Sequence, residues 1–165
     1  MPGQYQNTGG NAIQATLQTN LNGDGGPIKL ANQNGFHNVA MGQQAGGAIA
    51  GANAPGVTTD KRSDCVVIAV MQGDGQGNWQ RFYFTHLNGG QWTSSNQQLF
   101  NQSITTPANA WVAMESNAFS GMETLLEDMN KGNPNGNIPG GRLLQYKTKG
   151  STFGMSLQNA AIGEQ

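Results

Sequence analysis

A chain of 165 residues has the length of one domain, enough to bury roughly two-thirds of its unfolded surface and too short for a second catalytic domain. With 10 % charged residues and a net charge of -1, it has no electrostatic footprint for nucleic acid or an anionic membrane, and no apolar run approaches the length of a membrane span. Solubility is carried instead by 19 Asn and 17 Gln beside 25 Gly, a composition that suits a secreted or exported protein.

The opening segment, MPGQYQNTGGNAIQATLQTN, has neither a basic region nor an apolar core of signal-peptide type, so export is expected to proceed without a cleaved secretory signal. Residues 1–56 are rich in Gly, Asn and Gln. They predict a short helix around Ala12 to Leu21, a strand at Ile28 to Ala31, and loop. The Gly/Ala run from Gly42 to Gly56 reads either as a flexible connection or as a packed small-residue segment. Cys65 is the only cysteine, so no intramolecular disulfide forms and its thiol is free.

Beyond Cys65 the character changes. Val66 to Met71 is an apolar run of strand length and Trp79 to Leu87 is an aromatic, β-favouring one. Between them, QGDGQGN supplies turn glycines, so the two runs predict a hairpin. Period-two alternation sets Val67, Ala69, Phe82 and Phe84 on one face, with Val66, Ile68, Tyr83 and Thr85 on the other. Both faces are mostly apolar, so this hairpin is expected to be central and covered on two sides.

A looser stretch runs from Trp92 to Pro107, followed by a predicted strand at Ala110 to Met114. Ser120 to Asn130 predicts an amphipathic helix. Ser120 and Glu123 have capping-box spacing, Met122, Leu125, Leu126 and Met129 form a core-facing stripe, and Gly132 and Pro134 stop the helix. Last strands are expected at Leu143 to Lys147 and Thr152 to Leu157. The expected fold is α/β: one compact domain spanning 1–165, with a central, mostly antiparallel sheet or β-sandwich flanked by helices. Residues 57–155 are expected to form its main body and 1–56 its Gly/Asn/Gln-rich N-terminal part.

A hairpin register that opposes Cys65 to His86 centres the turn between Gly75 and Gln76, in the middle of the glycine-rich loop. A two-residue turn at Asp74 and Gly75 sets Phe84 against Cys65 instead. Opposed Cβ atoms lie roughly 4.5 to 5.5 Å apart, within range for a thiol and an imidazole to interact. The imidazole can take the thiol proton to give a nucleophilic thiolate and later protonate a departing amine. Thr59, Asn88, Asp64 or a backbone carbonyl are candidates to orient the ring, and amides around Cys65 are candidate oxyanion donors.

An S-x-C element at the start of an apolar strand, a hairpin, and an aromatic strand ending in Thr-His resemble the glutamine deamidases built like the catalytic domain of cytotoxic necrotizing factor. That group also includes Burkholderia lethal factor and the bacterial chemoreceptor deamidase. The matching residues are Arg62, Ser63, Asp64 and Cys65, then His86, with Thr59 six residues before the cysteine. FSGMETLLEDMNKG and GGRLLQYKTKGSTFG extend the likeness over roughly 57–155. Arg62 and Asp64 stand where the family has leucine and glycine, and the cysteine-to-histidine interval is longer here.

This resemblance implies a cysteine-dependent protein glutamine deamidase: Cys65 the nucleophile, His86 the general base and acid, Thr59 the orienting group, and Ser63, Asp64 and Asn88 around the oxyanion and substrate. It further implies a secreted bacterial toxin or effector acting as a monomer on a host protein in the host cytosol, with no metal or organic cofactor. The alternatives are a non-enzymatic secreted interaction module, or a Cys/His protease or transglutaminase. His37, in GFHNVAM, has no ligand partner at helical or strand spacing and reads as structural or surface. NGDGG and GDGQGN read as turns, lacking the acidic repeat of a calcium loop and the GK[ST] of a phosphate loop. Trp79, Trp92 and Trp111 read as core or rim anchors.

Overall fold

Among the described residues, two β-sheets stack face to face, and two α-helices cover the far side of one of them. The computed structural model of the chain describes residues 28–29, 33–60, 65–76, 78–116, 120–146, 153–158 and 161–164. The expected helix at Ala12 to Leu21 and the residues Arg62, Ser63 and Asp64 lie outside the described residues, as do the ends of three expected strands (30–31, 147 and 152).

The outer sheet contains β1 (Ile28–Lys29), β2 (His37–Asn38), β4 (Gly56–Thr59), β9 (Phe153–Ser156) and β10 (Ala161–Glu164), in the order β1-β10-β9-β4-β2. The central sheet contains β3 (Gln44–Ala48), β5 (Val66–Gly73), β6 (Trp79–Leu87), β7 (Ala110–Glu115) and β8 (Leu143–Tyr146), in the order β3-β6-β5-β7-β8. The inner ladders β3–β6–β5–β7 and β4–β9–β10 are antiparallel, and β1–β10, β2–β4 and β7–β8 pair in parallel.

The period-two pattern of the hairpin sorts the core into two layers. Val67, Ala69, Met71, Phe82 and Phe84 join Val57, Phe153, Met155 and Ile162 of the outer sheet in one apolar cluster, the filling of the sandwich. Val66, Ile68, Val70, Tyr83 and Leu87 face the helices instead, packing with Phe100, Met122, Leu125, Leu126 and Met129. The hairpin strands are thus covered on both sides, which explains their near-continuous apolar runs.

The helix carrying the methionine and leucine stripe is α2 (Met122–Lys131), and it buries Met122, Leu125, Leu126 and Met129. Its cap is not Ser120: Gly121 occupies the N-cap without a side-chain hydrogen bond, and Gly132 ends the helix. The stretch read as looser holds a second helix, α1 (Ser94–Ser103), closed by a capping box in which Thr93 and Asn96 exchange hydrogen bonds. Phe100 anchors it on Tyr83 and Trp92 through edge-to-face contacts. The Gly/Ala run is packed rather than loose over β3, and β2, β4 and β10 add strands that the sequence pattern did not announce.

The hairpin register differs from the expected one. Val67 lies opposite His86, and the ladder holds from Val66–Leu87 to Gln72–Arg81 before slipping to Gly73–Trp79, leaving Gln80 as the extra residue. The reason lies in the loop. The Asp74 carboxylate accepts from the backbone N–H of Gln76 (2.7 Å) and Asn78 (3.1 Å) and from the Asn78 side chain (2.8 Å). This closes a five-residue Asp74–Asn78 connection with Gly75 at φ +79° instead of a symmetrical four- or six-residue one. The same Asn78 amide and Gln76 N–H hold the Asp74 carboxyl below the usual carboxylate range.

Close approach of β4 and β9 depends on glycine. A Cβ at Gly154 would sit 2.6 Å from the Val57 carbonyl oxygen, which belongs to backbone and cannot rotate away. Gly154→Ala is expected to destabilise the protein by about 1–3 kcal/mol, read as a lower urea midpoint at unchanged slope.

Candidate active site

Thr59 and His86 meet at one end of the sandwich filling, and Cys65 stands at the same strand end; three different segments carry them. Odd positions of β5 face the outer sheet, so Cys65, two residues before Val67, points the same way. His86 follows Phe82 and Phe84 on that face of β6. Thr59 follows Val57 on the opposing face of β4, and its strand is held by the Thr59–Phe153 pair with β9.

The Thr59 hydroxyl oxygen lies 2.6 Å from His86 Nδ1, a hydrogen bond buried within the protein. It crosses from one sheet to the other. Thr59 is 0 % exposed and His86 4 %, so this bond operates away from bulk water, where a polar contact is strong and a missing one costly.

Cys65 does not face His86 directly. Continued one residue past the Val66–Leu87 pair, the register sets Cys65 against Asn88, with His86 diagonal to it beside Val67. Diagonal neighbours are roughly 7 to 8 Å apart, a span that long or aromatic side chains bridge. The Cys65 thiol, 5 % exposed, donates to the Met41 thioether at 3.6 Å. Asn88 opens the short 3-10 turn after β6 and is exposed. It lines a cleft of about 110 Å³ together with Gly42, Gln44, Thr85 and His86.

Three neighbouring residues lie outside what the sequence pattern singles out. Glu115, 0 % exposed, pairs with Val67 on the side away from His86, so Cys65 has a carboxyl diagonal on one flank and an imidazole on the other. Its signal was a single Glu ending the apolar run AWVAME, in phase with Trp111 and Ala113. Tyr146 pairs with Glu115 in turn and packs on Phe153 at 6.2 Å between ring centroids; burial pushes its phenol up to about 12. Met41 gave no sequence signal at all.

The other face of β6 carries a separate polar knot. Tyr83 donates to Gln44 (2.8 Å), and the Asn96 amide donates to Tyr83 and Thr85 at 3.1 Å each. Burial raises the Tyr83 phenol despite the lowering effect of Asn96 and Thr85. These groups tie α1 to the sheet. None of the three tryptophans lies beside Cys65: Trp79 and Trp111 are buried toward the hairpin turn, opposite Gly73 and Met71, and Trp92 packs under α1.

Among the described residues no group of three or more His, Cys, Asp or Glu side chains is placed to hold a metal ion. No described helix is long and apolar enough to cross a membrane. Comparison of the chain with protein-family models and with curated proteins finds no match.

Proposed function

We propose that the chain is a cysteine-dependent protein glutamine deamidase. The observation that supports this most is the buried Thr59–His86 hydrogen bond placed on the same face and at the same strand end as the sole thiol. An imidazole that serves a thiol needs one nitrogen fixed and the other basic. In the tautomer with the proton on Nδ1, Thr59 Oγ1 accepts it and Nε2 keeps its lone pair for the Cys65 proton.

The thiolate then adds to the side-chain carboxamide carbon of a glutamine, and the imidazolium protonates the amine as the C–N bond breaks, releasing ammonia. Water, deprotonated by His86, attacks the resulting thioester, returns the thiol and leaves glutamate. Each turn consumes one water and releases one ammonia, so oxidation states do not change. The low charge and amide-rich composition, together with the family likeness around Cys65 and His86, favour an exported bacterial effector with a host protein as substrate.

The deciding experiment incubates the purified protein with a host lysate and follows glutamine residues by peptide mass spectrometry. Glutamate appearing at defined glutamines with wild type and not with Cys65→Ala is the expected result. Equal glutamate in both samples rejects the reading. Cleaved chains or amine cross-links in place of glutamate identify a protease or a transglutaminase.

A further inference from the structure

Resting on the deamidase reading, we propose that Met41 is a displaceable cover that admits slim, unbranched side-chain carboxamides to Cys65 and turns away bulkier groups, main-chain peptide bonds among them. Met41 is the one large apolar side chain that stands exposed among the described residues, at 57 %. Its sulfur nevertheless sits 3.6 Å from a thiol that is 5 % exposed. A group reaching that thiol from the solvent side of Met41 has to move it.

The backbone beneath Met41 is fixed. Gln43 N–H closes a turn onto the Ala40 carbonyl at 2.9 Å, and Gly42 takes φ +83°, the pattern of a type II turn with Met41 at its first central position. That turn is tied to the site on both sides, because Gly42 N–H donates to the His86 carbonyl (2.8 Å) and His86 N–H donates to the Gln43 carbonyl (3.3 Å). Backbone and histidine therefore stay in register while the side chain swings. Methionine suits the task, being unbranched, with three rotatable bonds and a polarisable sulfur that repacks on whatever displaces it.

The geometry separates two kinds of amide. A glutamine carboxamide ends a flexible methylene stem and can thread beside a tilted thioether. A peptide bond carries a substituted carbon on each side and needs the cover gone altogether. Met41 is thus a specificity-determining residue, favouring deamidation over chain cleavage.

The test compares alkylation of Cys65 in folded wild type, Met41→Ala and Met41→Leu by iodoacetamide, itself a slim primary carboxamide, and by a bulky biotin-linked maleimide. The bulky reagent is expected to gain about tenfold in Met41→Ala, equivalent to about 1.4 kcal/mol, and iodoacetamide less. Met41→Leu, which restores the bulk, is expected to return both rates toward wild type, and thermal midpoints guard against a loosened fold. A bulky-reagent rate unchanged in Met41→Ala overturns the proposal. Glutamine-peptide deamidation is assayed in the same samples. Its absence in wild type rejects the deamidase reading, while the reagent-size comparison judges the cover by itself.

Discussion

Cys65→Ala is expected to cut deamidation of a glutamine peptide by about four orders of magnitude in kcat, to a small residual rate, while the fold survives. The thiol is a small buried group, so its removal costs about 1 kcal/mol of stability. His86→Asn, which keeps a polar partner for Thr59, is expected to lose roughly 10²- to 10⁴-fold. The informative measurement is the double variant. If Cys65 and His86 work as a unit, removing both is no worse than removing Cys65 alone, since the base has nothing left to activate. Losses that multiply instead would mean that His86 acts elsewhere. Ammonia release under saturating substrate reads kcat, and a urea midpoint on each variant checks the fold.

Thr59→Val is the second large effect. The swap keeps the shape and removes the hydroxyl, so His86 Nδ1 stays buried without its 2.6 Å partner. Stability is expected to fall by about 1–3 kcal/mol. The freed ring samples other orientations, and kcat is expected to drop roughly tenfold to a hundredfold with KM little changed, because misplacing a base damages the chemical step more than ground-state binding. Thr59→Ser, which restores the oxygen, is expected to recover most of both. A Thr59→Val protein that loses stability but keeps its kcat would reduce the bond to a strut between sheets and remove its positioning role.

The parts of this fold that were legible in the sequence are those whose burial is written in apolar periodicity. The hairpin faces and the Met122–Leu125–Leu126–Met129 stripe are of that kind, since a residue's neighbours two or four positions away share its environment. SSNQQLFNQS forms α1 with two apolar side chains, Leu99 and Phe100, so the helix depends on the Thr93–Asn96 cap and on contact with Tyr83 and Trp92. QAGGA forms β3 without a β-branched residue, because its partner β6 supplies the ladder. Tertiary contacts of this kind override local propensity.

The candidate site divides along the same line. That Cys65 and His86 share a face followed from counting by twos. The register between them did not, because the Asp74 side chain chose the loop and Gln80 absorbed the slip. Thr59 was singled out by family likeness, although VTT is a β-branched run that ordinary strand reading could have caught. Glu115 was passed over, and Met41 becomes visible once the turn at Gly42 brings it over the thiol.

The sheet-crossing bond also sets when in the life of the chain the site is complete. Thr59 is made before Cys65 and His86, but its strand is held by β9, through pairs such as Thr59–Phe153, which is made long after both. A nascent chain shorter than Phe153 already contains Cys65 and His86 yet lacks the strand that holds Thr59 against the imidazole. Such a chain leaves His86 without its sheet-crossing partner until β9 has been made and both sheets have closed.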